Sequence, residues 1–182
     1  MKKLLLLLII PFLSFGQGWI QSYGSGEGDY AVQTNDGGYA FVGFIYESTD
    51  AIYFNITDEN GDVIAEQSIG GSAGGDVAQA RCIEQTTDGG YIILGHKPLG
   101  DYGLFEESCM LVVKFDINGN TEWEECYLGY HGRHLQQTND GGYIIIGSDL
   151  IKIDSNGNTE WINPEIGGKE IQQTNDGGYI IA

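Results

Sequence analysis

A seven-residue motif that occurs four times constrains the fold more than any other feature of this sequence. Residues 33–39 read Gln-Thr-Asn-Asp-Gly-Gly-Tyr, and the motif returns at 85–91, 137–143 and 173–179 with a single substitution, Thr87 for the asparagine. The first three copies are evenly spaced along the chain, and the fourth follows after a shorter interval. Such internal repetition predicts an architecture built from equivalent supersecondary units.

Each copy of the motif predicts a tight β-hairpin. Asp-Gly between two strand-like runs is a strong hairpin signal, because glycine tolerates the positive φ that tight turns require. The segment after each turn, such as Tyr-Ile-Ile-Leu-Gly at 91–95, is apolar without alternation. This pattern predicts a strand that is covered on both faces.

A second predicted hairpin lies between the copies of the first. Residues 114–123 and 152–161 share the pattern Lys-x-Asp-x-x-Gly-Asn-x-x-Trp, and a looser version covers 58–65 with Ala65 at the tryptophan position. Asn-Gly is a further strong turn signal. Each repeat therefore predicts four strands, named a to d: strand a ends at Gln-Thr, b begins at Tyr, c ends at Asp and d carries Trp.

Four strands in each tandem repeat are typical of β-propeller blades. The sequence predicts an all-β, β-propeller-like array of four-stranded antiparallel blades at about 30–70, 79–128 and 134–166, with a partial blade at 171–182. A β-sandwich would cover one face of each sheet, so its strands should alternate in polarity, which these do not. About three and a half blades favour a fragment of a longer ring.

The N-terminal segment predicts export. Residues 1–16 contain a basic start, an apolar run and then small residues, which is the pattern of a cleaved signal peptide. The apolar run is shorter than the roughly 20 residues of a membrane-spanning helix. We therefore expect a secreted or cell-surface protein without a membrane span, whose repeat domain covers 17–182.

Residues 19–24 predict a leading strand of type d. The interval from Trp19 to Tyr23 is the same as the interval from Trp123 to Tyr127. In closed propellers such a strand completes the last blade and pairs an edge that would otherwise be open. A natural four-bladed ring closed in this way is the alternative to a fragment.

The charge balance restricts the partners. The chain has 8 lysines and arginines against 26 acidic residues, a net charge of −18. Nucleic-acid phosphates and anionic membrane surfaces are bound by clustered cations. We therefore expect no nucleic-acid partner and no docking on an anionic membrane. A truncated ring would expose an apolar face, and self-association is then expected.

With both hairpin motifs in view, the chain resembles the secreted DGGY-repeat, β-propeller-like proteins of Bacteroidetes-type bacteria. The resemblance covers residues 19–182. It implies a repeat fold and export, often with a C-terminal secretion sorting domain, which is not seen in this sequence. It implies no particular activity, because the motif belongs to the repeat and not to a reaction.

The variable loops are the expected ligand site. In an up-and-down blade the a–b and c–d turns share one face, and the b–c and d–a loops share the other. The b–c loop differs in length between repeats, and variable loops carry function more often than fixed turns. We expect an extracellular glycan or protein ligand there. The candidate ligand-binding residues are Tyr46, Glu47, Asp50, His96, Asp101, Tyr102, Tyr130, His131 and Arg133.

No catalytic constellation is evident, so a non-catalytic scaffold without a cofactor is expected. The alternative is a hydrolase or lyase acting on extracellular polysaccharide, which would need acids or histidines at the inner ends of successive a strands. Of the residues at those positions only one is acidic: Val32, Glu84, Gln136 and Gln172.

No metal site is predicted. The turns that begin at Asp58, Asp116 and Asp154 carry oxygen ligands at positions 1, 3 and 5, as calcium loops do. Their glycine falls at position 4, however, where a calcium loop has it at position 6. The pattern favours Asx-turn chemistry within a hairpin.

The three cysteines fall in the second repeat. Export permits disulfides. Strands c and d are neighbours, and their register places Cys109 within about two residues of facing Cys126. A bridge between them would leave Cys82 free.

Overall fold

The structure, a computed structural model, describes residues 22–23, 26–45, 51–69, 78–99, 108–128 and 130–182. All regular structure in these residues is β. None of them lies in a helix long and apolar enough to cross a membrane. The expected signal peptide at 1–16 lies outside the described residues.

Three four-stranded sheets and one two-stranded sheet follow each other along the chain, and every strand pairs antiparallel with its neighbour in sequence. The all-β prediction and the prediction of four-stranded antiparallel units are confirmed. No closed ring is detected among the described residues, and the last sheet has two strands. The first sheet contains β1 (Gly26–Gln33), β2 (Tyr39–Ile45), β3 (Ile52–Thr57) and β4 (Val63–Ile69). The second contains β5 (Gln79–Gln85), β6 (Tyr91–Pro98), β7 (Ser108–Phe115) and β8 (Thr121–Leu128). The third contains β9 (Gly132–Gln137), β10 (Tyr143–Gly147), β11 (Leu150–Ile153) and β12 (Thr159–Asn163), and the fourth β13 (Ile171–Gln173) and β14 (Tyr179–Ile181).

The repeated motif forms the same turn each time. In the third copy the N–H of Gly141 donates to the carbonyl of Thr138 at 2.9 Å, and the N–H of Thr138 donates to the carbonyl of Gly142 at 2.9 Å. The hydroxyl of Thr138 donates to Asp140 at 2.5 Å. Gly141 has a φ of 85°, a region that disfavours residues with a Cβ. A Cβ at Gly142 would collide with the carbonyl oxygen of Ile153. The motif thus requires both glycines.

Successive sheets bury each other's faces. Ile92 and Ile93 are neighbours in β6, so their side chains point to opposite faces of the second sheet. Ile93 belongs to a core shared with the first sheet, and Ile92 to a core shared with the third. Their exposed fractions are 0% and 1%. This arrangement confirms that strand b of the second sheet is covered on both sides, whereas Ile180 in strand b of the fourth sheet is 63% exposed.

A glutamine from each later motif ties its sheet to the turn of the preceding one. The side-chain oxygen of Gln85 accepts from the backbone N–H of Asn35 at 2.8 Å. Gln137 accepts from Thr87 in the same way at 2.8 Å, and Gln173 repeats the contact on the third turn. The motif therefore shapes its own turn and also sets the position of the neighbouring sheet.

Two buried lysines hold three strands of their sheets together. The ammonium of Lys152 lies 3.1 Å from Asp140 in the a–b turn and 3.1 Å from Glu160 in strand d. Hydrogen bonds from Thr138 and Gly142, followed by the contact with Lys152, lower the pKa of Asp140 to about 2. Lys114 makes the same pair of contacts in the second sheet.

The predicted leading strand has no strand pairing at its two described residues, 22 and 23. A lone segment needs a partner strand for its backbone hydrogen bonds. Tyr23 nevertheless packs on the first sheet: its hydroxyl donates to the carbonyl of Gly61 at 2.8 Å. Tyr127 donates to Gly157 of the third sheet in the same manner. Tyr23 therefore has the contact expected of a type d residue in a preceding sheet.

The expected disulfide is present. Cys109 faces Leu128 and Cys126 faces Leu111, so the two cysteines are diagonal neighbours on β7 and β8, with their Cα atoms 5.4 Å apart. Cys82 is a free, buried thiol, and burial raises its pKa to about 11. Cys126 is two residues away from the residue that faces Cys109, as the position of the hairpin turn predicted.

The bridge should contribute measurably to stability. Replacing both cysteines (Cys109→Ala with Cys126→Ala) should lower the free energy of unfolding by about 3 kcal/mol, because the bridge closes a loop whose ends are 17 residues apart. Urea unfolding with and without reductant measures the loss. Reductant should destabilise the wild type and leave the double variant unchanged; equal midpoints for the oxidised and reduced wild type would contradict the prediction.

Candidate functional site

The expected ligand face contains a cavity of about 500 Å³. It lies at the end of the sheets where the b–c and d–a loops run, opposite the Asp-Gly and Asn-Gly turns. Its polar and aromatic lining comes from the first strands β1, β5 and β9, from strand β6, and from the segments just before β9 and β13: Tyr30, Arg81, Arg133, His96, His131 and Lys169.

The structure brings three of the candidate residues together. His96, His131 and Arg133 line this one cavity. Tyr130 does not, because its ring packs instead against the core between the second and third sheets. The remaining candidates lie outside the described residues: Tyr46, Glu47, Asp50, Asp101 and Tyr102.

In the second and third sheets, a β-bulge in the first strand positions one side chain at the cavity. In β5, Ala80 pairs with Gly95 and Cys82 with Leu94, so Arg81 is an extra residue in the ladder. In β9, Arg133 is the extra residue between Gly132 and His134. Bulges twist the strand and redirect the side chain at that point. Both arginines are thereby placed in the cavity lining.

The bulge recurs at one position of the repeat. Asp29 is the extra residue in β1. Before β13, the N–H groups of Lys169 and Glu170 both donate to the carbonyl of Ala182, at 2.7 and 3.2 Å. All four bulge positions lie four residues before the glutamine of the motif. Sequence reasoning missed Arg81 and Lys169, and this fixed offset is the signal that could have found them.

The two histidines of the cavity stack on each other. The ring centroids of His96 and His131 are 5.7 Å apart, with an angle of 22° between the planes. Burial, followed by the positive charges of His131 and Arg81, lowers the pKa of His96 below its usual 6.5. Burial and these charges therefore favour the neutral form of His96.

Two of the a-strand positions at which an enzyme would need acids instead join neighbouring sheets. The carboxylate of Glu84 accepts from the N–H of Gln137 at 3.0 Å, and burial raises its pKa. Gln136 occupies the same position in the third sheet and accepts from the N–H of Gln173 at 2.6 Å. These side chains join successive sheets.

The Asp-x-Asn turns satisfy their carboxylates internally. Asp116 accepts from the side-chain amide of Asn120 and from the backbone N–H groups of Asn118 and Asn120, each at 2.8 Å. The side-chain bond from Asn120, followed by the backbone bonds, lowers the pKa of Asp116. This is the bonding that the Asx-turn interpretation predicts. Among the described residues no group of three or more metal-binding side chains comes together.

A second, mostly apolar cavity of about 360 Å³ lies on the outer face of the first sheet. Tyr23, Tyr39 and Phe41 contribute to its walls. It occupies the face that a preceding sheet would cover, and self-association through this face stays a prediction.

No protein-family model matches this chain, and no match was found among the curated proteins.

The proximity of the two histidines should be visible in the titration of His96. His131→Ala should raise the pKa of His96 toward 6.5, because it removes a positive charge that opposes protonation of His96 and also opens the site to water. An NMR titration of the imidazole resonances measures the shift. His134→Ala serves as the control, since His134 is not among the groups that lower this pKa. An unchanged or lower pKa in His131→Ala would refute the coupling.

Proposed function

We propose that this chain is an exported, propeller-like, non-catalytic scaffold that binds a glycan, a protein or another cell-surface component through the face that carries its b–c and d–a loops. The observation that carries the proposal is the convergence of first strands on a single cavity. Tyr30, Arg81 and Arg133 come from β1, β5 and β9, and Lys169 directly precedes β13.

The repeated contacts between sheets support the propeller-like arrangement. The hydrogen bonds accepted by Gln85, Gln137 and Gln173, which we call the glutamine clamp, join each sheet to the next. Their lengths are nearly equal, at 2.8, 2.8 and 2.9 Å. Equivalent contacts of this kind are what one rotation repeated from sheet to sheet would produce. A repeated rotation with strand a on the inside produces a central cavity at one end, as in propellers.

The sequence and the disulfide support export. Residues 1–16 have the pattern of a signal peptide. The Cys109–Cys126 bridge suits an oxidising compartment. We therefore place the ligand outside the cell, where polysaccharides and surface proteins are the abundant partners.

The alternative, an enzyme acting on extracellular polysaccharide, has narrower support. Hydrolysis requires two carboxylates beside the glycosidic bond, and the lining residues that the structure describes contribute none. A lyase remains a second proposal, because His96, whose neutral form is favoured, lies in the cavity where a base is needed. Unsaturated product released from a polysaccharide, and lost in His96→Ala, would support the lyase; no product from any polymer bound at this face would refute it.

A blocking experiment tests the binding face. We expect the purified protein to bind members of a glycan array, and we expect a polyethylene glycol chain attached at His131→Cys to abolish this binding. His131 is exposed and lines the cavity, and the free Cys82 is buried, so labelling should be confined to the new thiol. The readout is array binding before and after labelling.

The matched control carries the same label on the opposite face. Asn156 is exposed in a c–d turn of the third sheet, so labelled Asn156→Cys should bind as well as the wild type. The glycan ligand is refuted if no glycan binds, and the binding face is refuted if the label at position 131 leaves binding intact.

A further inference from the structure

Three cations that form no close ion pair among the described residues line this cavity. Arg81, Arg133 and Lys169 form no ion pair within the part of the chain that the structure describes, although the protein carries a net charge of −18. The other cations in that part all pair with carboxylates: Lys97, Lys114 and Lys152. With few cations available, leaving three unpaired in one cavity creates a local positive potential.

The fold holds these cations in place. Each of them stands at the bulge position of its repeat, four residues before the motif glutamine. The bulge is tied to the glutamine clamp through a single short strand, so the stacking of the sheets also sets where the charges lie. Asp29, at the same position of the first sheet, interacts with Arg81, which opposes the rise in its pKa that burial causes. Asp29 lines the neighbouring apolar cavity and not this one.

The remaining walls suit a sugar. Tyr30 is 47% exposed and borders the cavity. An aromatic ring with an exposed face offers a flat apolar surface on which a pyranose can lie. The rings of His96 and His131 add hydrogen-bonding groups. The volume of about 500 Å³ falls within the range of small-molecule sites.

We propose that this cavity binds an acidic saccharide, with the carboxylate of a uronic-acid residue held by Arg81 and Arg133 and its ring placed against Tyr30. The proposal rests on the proposed function, since it assigns the ligand class of the same face. A guanidinium binds a carboxylate through two parallel hydrogen bonds, which a neutral sugar cannot accept with equal strength. Lys169 adds a third charge from the next repeat. Inorganic phosphate would form ion pairs with the cations but has no apolar ring face to pack against Tyr30.

Paired ligands test the requirement for the charge. Calorimetric titration of the full chain would compare short oligomers of galacturonate, glucuronate and mannuronate with their methyl esters, and with inorganic phosphate. At least one acid oligomer should bind about tenfold or more tightly than its ester, which keeps the ring and removes the charge. It should also bind more tightly than phosphate, and its affinity should fall as salt is added.

Paired variants test the residues. Arg81→Gln with Arg133→Gln should weaken binding of the acid oligomer about tenfold or more, and Lys169→Glu should weaken it as well. All three side chains belong to exposed residues, so folding should be preserved, and circular dichroism checks this. Lys97→Gln is the control: it removes a charge that pairs with Glu124 outside the cavity, and should bind as the wild type does.

The outcomes separate this inference from the proposed function. If esters bind as tightly as acids, if phosphate binds as tightly as the oligomers, or if the double arginine variant binds normally, the acidic-saccharide site is refuted. The proposed function survives that result when the label at His131→Cys still blocks array binding. If acid oligomers bind the labelled protein unchanged, both fail.

Discussion

The mutual burial of sheet faces is the constraint on which this structure depends. A strand such as β6, with Ile92 directed to one neighbour and Ile93 to the other, has no polar face to present to water. Burying one side chain of this kind stabilises a protein by about 1.5–3 kcal/mol. A single sheet cannot realise that gain on both faces, so the repeats stack, and each sheet gains stability from its contacts with a neighbour. The glutamine clamp then selects one stacking register among those that burial alone would allow.

The same stacking creates the candidate site. Each repeat is a meander whose first strand carries a bulge, and the clamp is only four residues away from it. Once the sheets are aligned by their turns, the bulge side chains of three repeats arrive at one cavity. Hydrophobic packing and backbone hydrogen bonding thus supply the energy that holds like charges together, and the partial exposure of the arginines to water keeps their repulsion small.

Cations have two separate roles in this protein. Lys114 and Lys152 are buried inside their sheets and fully engaged with carboxylates of the turn and of strand d. In the first sheet, Ile56 occupies the position on strand c that Lys114 and Lys152 occupy in the second and third sheets. The first sheet therefore relies on apolar packing at this position. Arg81, Arg133 and Lys169 are instead turned toward solvent at the cavity, where their charge is available to a ligand.

The amino-acid sequence by itself determined the local units. The Asp-Gly and Asn-Gly turns, the four-strand repeat, the doubly covered strand b and the offset between Cys109 and Cys126 all depend on residues a few positions apart, and hydrogen-bond geometry and polarity patterns act over that range. The tertiary structure alone decided which side chains meet. Tyr130, a candidate ligand residue, packs into the core, and Glu84 joins two sheets, whereas Arg81 and Lys169 reach the cavity. These outcomes depend on the angle between stacked sheets and on a one-residue bulge, which are set by packing between segments distant in sequence. The fixed offset from the motif glutamine becomes a signal only once the bulge is known.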